Sequence, residues 1–419
     1  MTETPPGTAE RVVVVGGGHA GTTLAGLLRQ GGYRGELVLL GSETDLPYQR
    51  PPLSKKFDGD GPVQWLRPAE FYREQDITVR LGEQVTVVDR AARRVRTASG
   101  GTYAYDVLVL ATGAVPRGLT LPGADTRGVI TLRTLSDARV LRGYLADRGR
   151  LVIVGGGYIG LEVAAAARAN GVEVTVVERE GRVLARVAST RFSQALTRHH
   201  RARGTDIVTG ARVVGLTSRH GHVDGVELAD HGRLECDAVL VGVGAVPQDG
   251  LARAAGLECD EGIVVDGRAR TGDPSVLAIG DATRRPVAGV PGSLRLESIP
   301  SATEQARQAC SVILGTATPA AEVPWFWSDQ FGLKLKIAGV VREPGDSGAQ
   351  VTRGTAVRGD PSSERFALFH HEDRIVTAVE SANAPADFAA GRKFIASRRR
   401  VDPARLADPG TPLSEAVMN

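Results

Sequence analysis

At 419 residues the chain is too long for one hydrophobic core, so two or three domains are expected. Hydrophobic residues make up 42% and charged residues 24%, a globular balance, and no apolar run reaches the roughly 20 residues that span a bilayer. A formal charge of +3 is too small to argue for nucleic acid.

Met1 to Glu10 is polar and rich in proline and threonine, with no basic start or apolar segment. It reads as a short disordered lead-in rather than a signal peptide, which places the protein in the cytoplasm. Val12 to Gly21, VVVVGGGHAG, follows as an apolar run, a glycine turn and the start of an alanine- and leucine-rich helix over Thr22 to Gln30, with a second strand at Glu36 to Leu40. In Gly16-x-Gly18-x-x-Gly21 the first glycine permits the tight turn and the second lets backbone approach a pyrophosphate. The third lets helix and strand pack closely. The phosphate charge then meets free backbone N–H groups at the positive end of a helix. Glu43 lies just past the second strand. A glycine turn alone is weak evidence; between a buried strand and a helix it predicts dinucleotide binding.

Val107 to Ala111 reads as a strand running into the turn Thr112–Gly113. Leu151 to Gly160, LVIVGGGYIG, then repeats the first fingerprint as Gly155-x-Gly157-x-x-Gly160. A helix is expected over Leu161 to Asn170 and a strand from Val172 to Val177, ending at Glu178. A carboxylate there accepts from a ribose 2′-hydroxyl and repels a 2′-phosphate, which favours NAD over NADP. Arg179 and Arg186, close in sequence, pull the other way. The strand Ala238–Val243 contributes Gly242 and is followed by Gly244. Val276–Ile279 ends at Gly280 and Asp281, an aspartate placed to accept from the ribityl hydroxyls of an extended FAD. Ala321 to Asp387 alternates short apolar runs with turns (Lys334–Val340, Phe366–His370, Ile375–Val379) and predicts antiparallel sheet. Leu406 to Asn419 reads as a partly ordered tail. Cys236, Cys259 and Cys310 are widely spaced small apolar residues, with no Cys-x-x-Cys pair to suggest a redox dithiol or a metal site.

Two dinucleotide sites in one chain have a chemical reason. A flavin and a nicotinamide must meet with reacting atoms about 3–3.5 Å apart before hydride moves, and two facing Rossmann domains bring them together.

The stretches VVVVGGGHAG, LPYQRPPLSKK (Leu46 to Lys56), LVLATG, LVIVGGGYIGLEVA, LAIGDAT, LESIPSATEQAR (Leu296 to Arg307), PWFWSDQ (Pro324 to Gln330) and APADFAAGRKFI (Ala384 to Ile395) occur in order over nearly the whole chain. Together they resemble the FAD-dependent ferredoxin reductases of bacterial oxygenase systems, the putidaredoxin reductase and biphenyl dioxygenase reductase type. The resemblance implies an α/β fold: two Rossmann-like dinucleotide-binding domains, for FAD and NAD, arranged as in glutathione reductase, plus a C-terminal α+β domain with antiparallel sheet. FAD is expected in 1–115 and 246–318, NAD(H) in 116–245, and 319–419 as a domain covering the flavin.

The implied FAD set is Gly16, Gly18, His19, Ala20, Gly21, Ser42, Glu43, Arg50, Lys55, Val85, Ala111, Thr112, Gly113, Arg133, Gly280, Asp281, Glu297, Ser298, Ile299 and Trp327. The NAD set is Gly155, Gly157, Tyr158, Ile159, Gly160, Glu162, Glu178, Arg179, Arg186, Gly242 and Gly244. Lys55, Glu162 and Trp327 take the catalytic positions: a cation at the reactive edge of the flavin, a glutamate facing the nicotinamide, and an aromatic stacked beside the ring. The implied partner is an acidic two-iron ferredoxin feeding an oxygenase, docked at Arg307, Lys336 and Arg392, with the run Arg398–Arg400 adding positive charge. No membrane and no nucleic acid are involved, and monomer and homodimer both stay open.

Two positions depart from the family pattern. Ser42 stands where an acidic ribose ligand is usual, with Glu43 beside it, and SIPSA carries Ser301 in place of an asparagine-containing sequence. Related disulfide reductases and NADH oxidases need a cysteine beside the flavin, where this chain has Pro51-Pro52-Leu53-Ser54-Lys55. A flavoprotein acting on a small molecule, or an interaction flavoprotein akin to apoptosis-inducing factor, are the remaining rivals.

Overall fold

β-Branched side chains are stiff at χ1 and favour strands, and both valine-rich runs form them. A computed structural model of the chain describes residues 9–55, 63–146, 149–342 and 352–418, so most of the expected lead-in and Lys56 lie outside the described residues. The first repeat is β1 (Arg11–Val15), α1 (His19–Gln30) and β2 (Glu36–Leu40); the second is β3 (Arg150–Val154), α2 (Tyr158–Ala169) and β4 (Glu173–Glu178). Both helices begin three residues earlier than expected, because Gly18 and Gly157 serve as extended N-caps and the rest of each fingerprint is already helical.

Backbone contacts divide the chain into two compact units: Met1–Gln49, Pro62–Val115 and Val246–Pro324 form one, and Arg50–Gly61, Pro116–Ala245 and Trp325–Asn419 the other. Among the described residues of the first, β1 lies at the centre of a five-stranded parallel sheet, between β2 and Val107–Leu110, with Thr78–Arg80 and Val276–Ala278 at the edges. Val12, Val13, Val14 and Val15 are all buried, as a strand covered on both faces requires. The helix Ile299–Leu314 packs there with α1 and is fixed near its start by a buried ion pair. Arg285 meets Glu304 at 2.6 Å and Ser301 at 3.1 Å, and the Glu322 N–H donates to Glu304 at 2.9 Å. Ser301, the departure from the family pattern, is thus the acceptor for Arg285.

The second unit repeats the plan, with β3 between β4 and Ala238–Val241, and Thr205–Thr209 and Val129–Ile130 outside them. It also carries the expected antiparallel sheet, in the order Trp325–Gln330, Leu333–Gly339, Ile375–Ala382, Phe366–Glu372, Arg353–Gly359. The helix Thr190–Arg201, α3, joins the two parts of this unit. The backbone N–H of its N-cap Ser189 donates to the fully buried Glu380 at 2.9 Å, and His370 holds the other carboxylate oxygen at 2.7 Å.

Two elements differ from expectation. The tail is not partly ordered: Leu406 and Ala416 are fully buried, and Val401 bridges Val417. The Arg358 guanidinium collects the carbonyls of Leu406, Asp408, Pro409 and Thr411, a long-range anchor that no local pattern announces. Two short three-stranded antiparallel sheets, starting at Val85 and Val213, are also new; their strands are brief and half polar. No helix among the described residues is long and apolar enough to cross a membrane.

Candidate functional site

Each glycine fingerprint sits at the carboxyl end of its central strand, where open α/β sheets place their ligands. In the first, Gly16 has φ +122°, and a Cβ there would lie 2.1 Å from the Ala111 carbonyl oxygen. At Gly21 a Cβ would lie 2.2 Å from the Gly16 oxygen, so both positions demand glycine. Around Gly18 nothing lies within 4 Å of the same construction, and no side chain caps the helix. The loop is closed beneath and open above, with uncapped helical N–H groups at the opening. His19 Nδ1 is buried there without a partner, and burial keeps the imidazole below its usual pKa. This suits the pyrophosphate of a dinucleotide.

The turn at Gly280 and Asp281 comes within reach of the same helix. A Cβ on Gly280 would lie 3.0 Å from the Ala20 methyl, and φ there is +81°. Gln305 fixes the turn, its Oε1 accepting from the Gly280 N–H while its Nε2 donates to Thr283 at 2.7 Å. Sequence reasoning missed Gln305 although it lies inside LESIPSATEQAR. Glu43 accepts from the Tyr48 hydroxyl, and Ser42 is exposed. Val85, Ala111, Thr112, Gly113, Glu297, Ser298 and Ile299 belong to this unit too. Arg50, Lys55, Arg133 and Trp327 belong to the other.

In the second fingerprint a Cβ on Gly155 would lie 2.4 Å from the Gly242 oxygen, one on Gly160 2.3 Å from the Gly155 oxygen, and one on Gly157 would meet only Gly242 oxygen at 3.9 Å. The same closed floor and open cap recur. Glu178 braces this loop: its Oε2 accepts from the Gly156 N–H at 2.7 Å and its Oε1 from the Glu180 N–H at 2.9 Å. Arg179 points outward to Glu180, while exposed Arg186 lies beside Gly244. Ile159 leaves 47% of its surface exposed. Tyr158 turns inward instead, its ring edge-on to Phe326 at 4.3 Å between centroids and its hydroxyl enclosed without a partner. Burial pushes that phenol well above its ordinary range, and Glu380 and Glu162 add to the effect.

One turn further along α2, Glu162 is 6% exposed and fully engaged. Lys55 Nζ approaches Oε2 at 2.7 Å, the Ser54 hydroxyl donates to the same oxygen, and Ser328 donates to Oε1 at 2.5 Å. The structure thereby joins two of the three predicted catalytic residues, with Arg50 held nearby in sequence by the Arg133 carbonyl at 2.7 Å. Lys55 is a buried-edge partner rather than a solvated lysine. Trp327 is half-buried and tilts against Trp325, 5.7 Å between ring centroids. Among the docking candidates, Arg307 pairs with Glu322 at 2.5 Å, while Lys336 lies over Phe388 and Arg392 over Trp325.

Behind Ser328 the polar chain continues. Gln330 Nε2 donates to Ser328 Oγ at 3.0 Å, and Gln330 Oε1 meets His200 Nε2 at 2.9 Å. His200 is fully buried and burial lowers its pKa to about 4. Its unfolded value near 6.5 is the higher one, so the native state binds the proton less well than the unfolded chain. The stability this represents is complete above pH 6.5 and drains away as pH falls toward 4. The loss is about 3 kcal/mol. Urea unfolding across that window is expected to show the parent losing about this much more than His200→Gln; parallel curves would rule it out.

The three cysteines are free and lie outside both fingerprints, and burial pushes Cys236 up to about 12 and Cys310 up to about 11. Thiols shifted in this direction hold little of the reactive thiolate at neutral pH.

The chain is similar to known proteins over nearly its whole length. Residues 10–306 match the pyridine nucleotide-disulphide oxidoreductase family and 325–417 the reductase C-terminal family. A probable ferredoxin reductase of Castellaniella defragrans is 44% identical over 404 residues, covering 96% of this chain and 97% of the relative. The crystal structure of the ferredoxin reductase for the CYP199A2 system from Rhodopseudomonas palustris superposes with a TM-score of 0.92 at 38% identity, over 98% of this chain and all of that one. A covalent putidaredoxin reductase–putidaredoxin complex gives 0.91 at 37% identity, over 97% of this chain and 98% of that one.

Proposed function

This chain belongs to the pyridine nucleotide-disulphide oxidoreductase family, among its ferredoxin reductases, and from that premise we propose that it reduces a two-iron ferredoxin with NADH on behalf of a cytochrome monooxygenase or dioxygenase. The observation that carries the reading is the duplicated cradle: two glycine loops in one chain, each closed below by a carbonyl and open at an uncapped helix N-terminus. Bound FAD supplies the passage from a two-electron donor to a one-electron acceptor.

The chain's own residues do the rest. Gly16, Gly18 and the turn at Asp281 hold FAD in the first unit, with Glu43 on its ribose. Gly155, Gly157 and Glu178 bind NADH. Glu162, fixed by three donors, faces the nicotinamide end and orients it, and Lys55 supplies the positive charge that offsets developing anionic charge. Trp327 takes the aromatic position the family gives it. The functional division is 1–115 with 246–318, then 116–245, then 319–419, and the location is the cytoplasm. Lys336 and Arg392 offer cations to an acidic ferredoxin, where long-range attraction raises the encounter rate.

Glu178 sets the choice of nucleotide. Glu178→Ala removes both the ribose acceptor and the brace on Gly156, and charged hydrogen bonds are worth about 1.5–3 kcal/mol. The KM for NADH is expected to rise about 10- to 100-fold while that for NADPH moves less; equal changes in both would refute the assignment.

The function itself is tested by cytochrome c reduction with NADH, with and without a panel of two-iron ferredoxins. Strict dependence on a ferredoxin is expected. Ferredoxin-independent turnover of some other compound would overturn the reading.

A further inference from the structure

The hydrogen bonds around Glu162 have only one consistent direction. His200 is neutral, so a single ring nitrogen donates; facing the Gln330 amide oxygen at 2.9 Å, that nitrogen is Nε2. Nδ1 is then an acceptor, buried without a partner. The Gln330 oxygen being occupied, its NH2 donates to Ser328 Oγ at 3.0 Å. Ser328 receives that bond, so its one proton is committed to Glu162 Oε1 at 2.5 Å. All four residues are buried, with Ser328 and His200 fully so and Gln330 at 1%. Water therefore does not compete for any link.

We propose that Ser328 and Gln330 are positioning residues for the nicotinamide: through this one-way chain from His200 they set the rotamer of Glu162 and hold its carboxylate as an acceptor. Neither touches the nucleotide. Ser54 and Lys55 grip Oε2 alone, which leaves rotation about the carboxylate's long axis to be fixed by Ser328. Gln330 matters because without it the Ser328 hydroxyl can turn its proton elsewhere. The inference deepens the reading of Glu162 given above and depends on it.

The test compares NAD+ with ADP-ribose, which has the adenosine, pyrophosphate and ribose but no nicotinamide. Calorimetric Kd values are measured on holoenzyme for the parent, Ser328→Ala, Gln330→Leu and Ser328→Thr. In Ser328→Ala and Gln330→Leu the ratio of the NAD+ Kd to the ADP-ribose Kd is expected to rise about tenfold, the worth of one hydrogen bond to a charged group. Ser328→Thr, which keeps the hydroxyl, restores the ratio. Equal weakening of both ligands would mean a merely structural role and overturn the proposal, as would an unchanged ratio. The two readings fail separately. If the parent itself prefers ADP-ribose and Glu162→Gln leaves the ratio alone, Glu162 does not face the nicotinamide; if Glu162→Gln raises the ratio and Ser328→Ala does not, only the positioning role falls.

Discussion

Gly18→Ala is expected to give a folded protein that loses FAD more readily than the parent. The backbone there has φ −79°, which any residue adopts, and a Cβ meets no protein atom within 4 Å. The stability cost is therefore that of a poorer cap, about 0.5–1 kcal/mol. The methyl instead fills the space a pyrophosphate must enter to reach the helical N–H groups. Forfeiting charged hydrogen bonds of about 1.5–3 kcal/mol weakens FAD about 10- to 100-fold. Gly16→Ala is the contrasting case. Its Cβ would sit 2.1 Å from the Ala111 oxygen at φ +122°, so strain and overpacking of about 2–5 kcal/mol strike the apoprotein as well. Flavin-to-protein ratios and apoprotein melting curves separate the two. A Gly18→Ala protein with full flavin would show that the first loop is only a turn.

The second large effect falls on the Glu162 centre. Glu162→Gln keeps the shape but removes the charge that Lys55 pairs with at 2.7 Å and turns one of the two acceptor oxygens into an NH2 group. NADH-driven flavin bleaching, followed by stopped flow, is expected to slow about 100-fold, and Lys55→Met to slow it comparably. In Glu162→Gln FAD content is expected to hold, because Glu162 is not among the FAD-holding residues and the first fingerprint lies in the other unit. An undiminished bleaching rate in Glu162→Gln would remove this carboxylate from the reaction. Because Lys55 keeps 18% of its side-chain surface exposed, the loss of stability is well below the 3–5 kcal/mol of a fully buried pair.

The parts of this protein that were legible in its sequence are those written in local patterns. A run such as Val12–Val15 followed by a glycine turn specifies strand, turn and helix within about ten residues, and its repetition at Leu151 specifies the second strand, turn and helix. The alternation after Ala321 likewise specified antiparallel strands. The surroundings of Glu162 were not legible. Ser54 and Ser328 lie 108 and 166 residues from it, and a serine carries no periodic signal about what it will touch. The same holds for Arg358, whose hold on the tail turned an expected loose end into packed structure, and for Ser301, visible as a departure but explained only by Arg285. Nor does any local pattern announce the hydrogen bond from the Tyr48 hydroxyl to Glu43.

The most direct test of two nucleotide sites working together is an anaerobic titration of the purified protein with NADH, followed at the visible flavin bands. A yellow protein is expected, bleached completely by about one equivalent of NADH per flavin, since one hydride carries two electrons. A colourless preparation, or a yellow one whose absorbance NADH leaves unchanged, would contradict the reading at its centre.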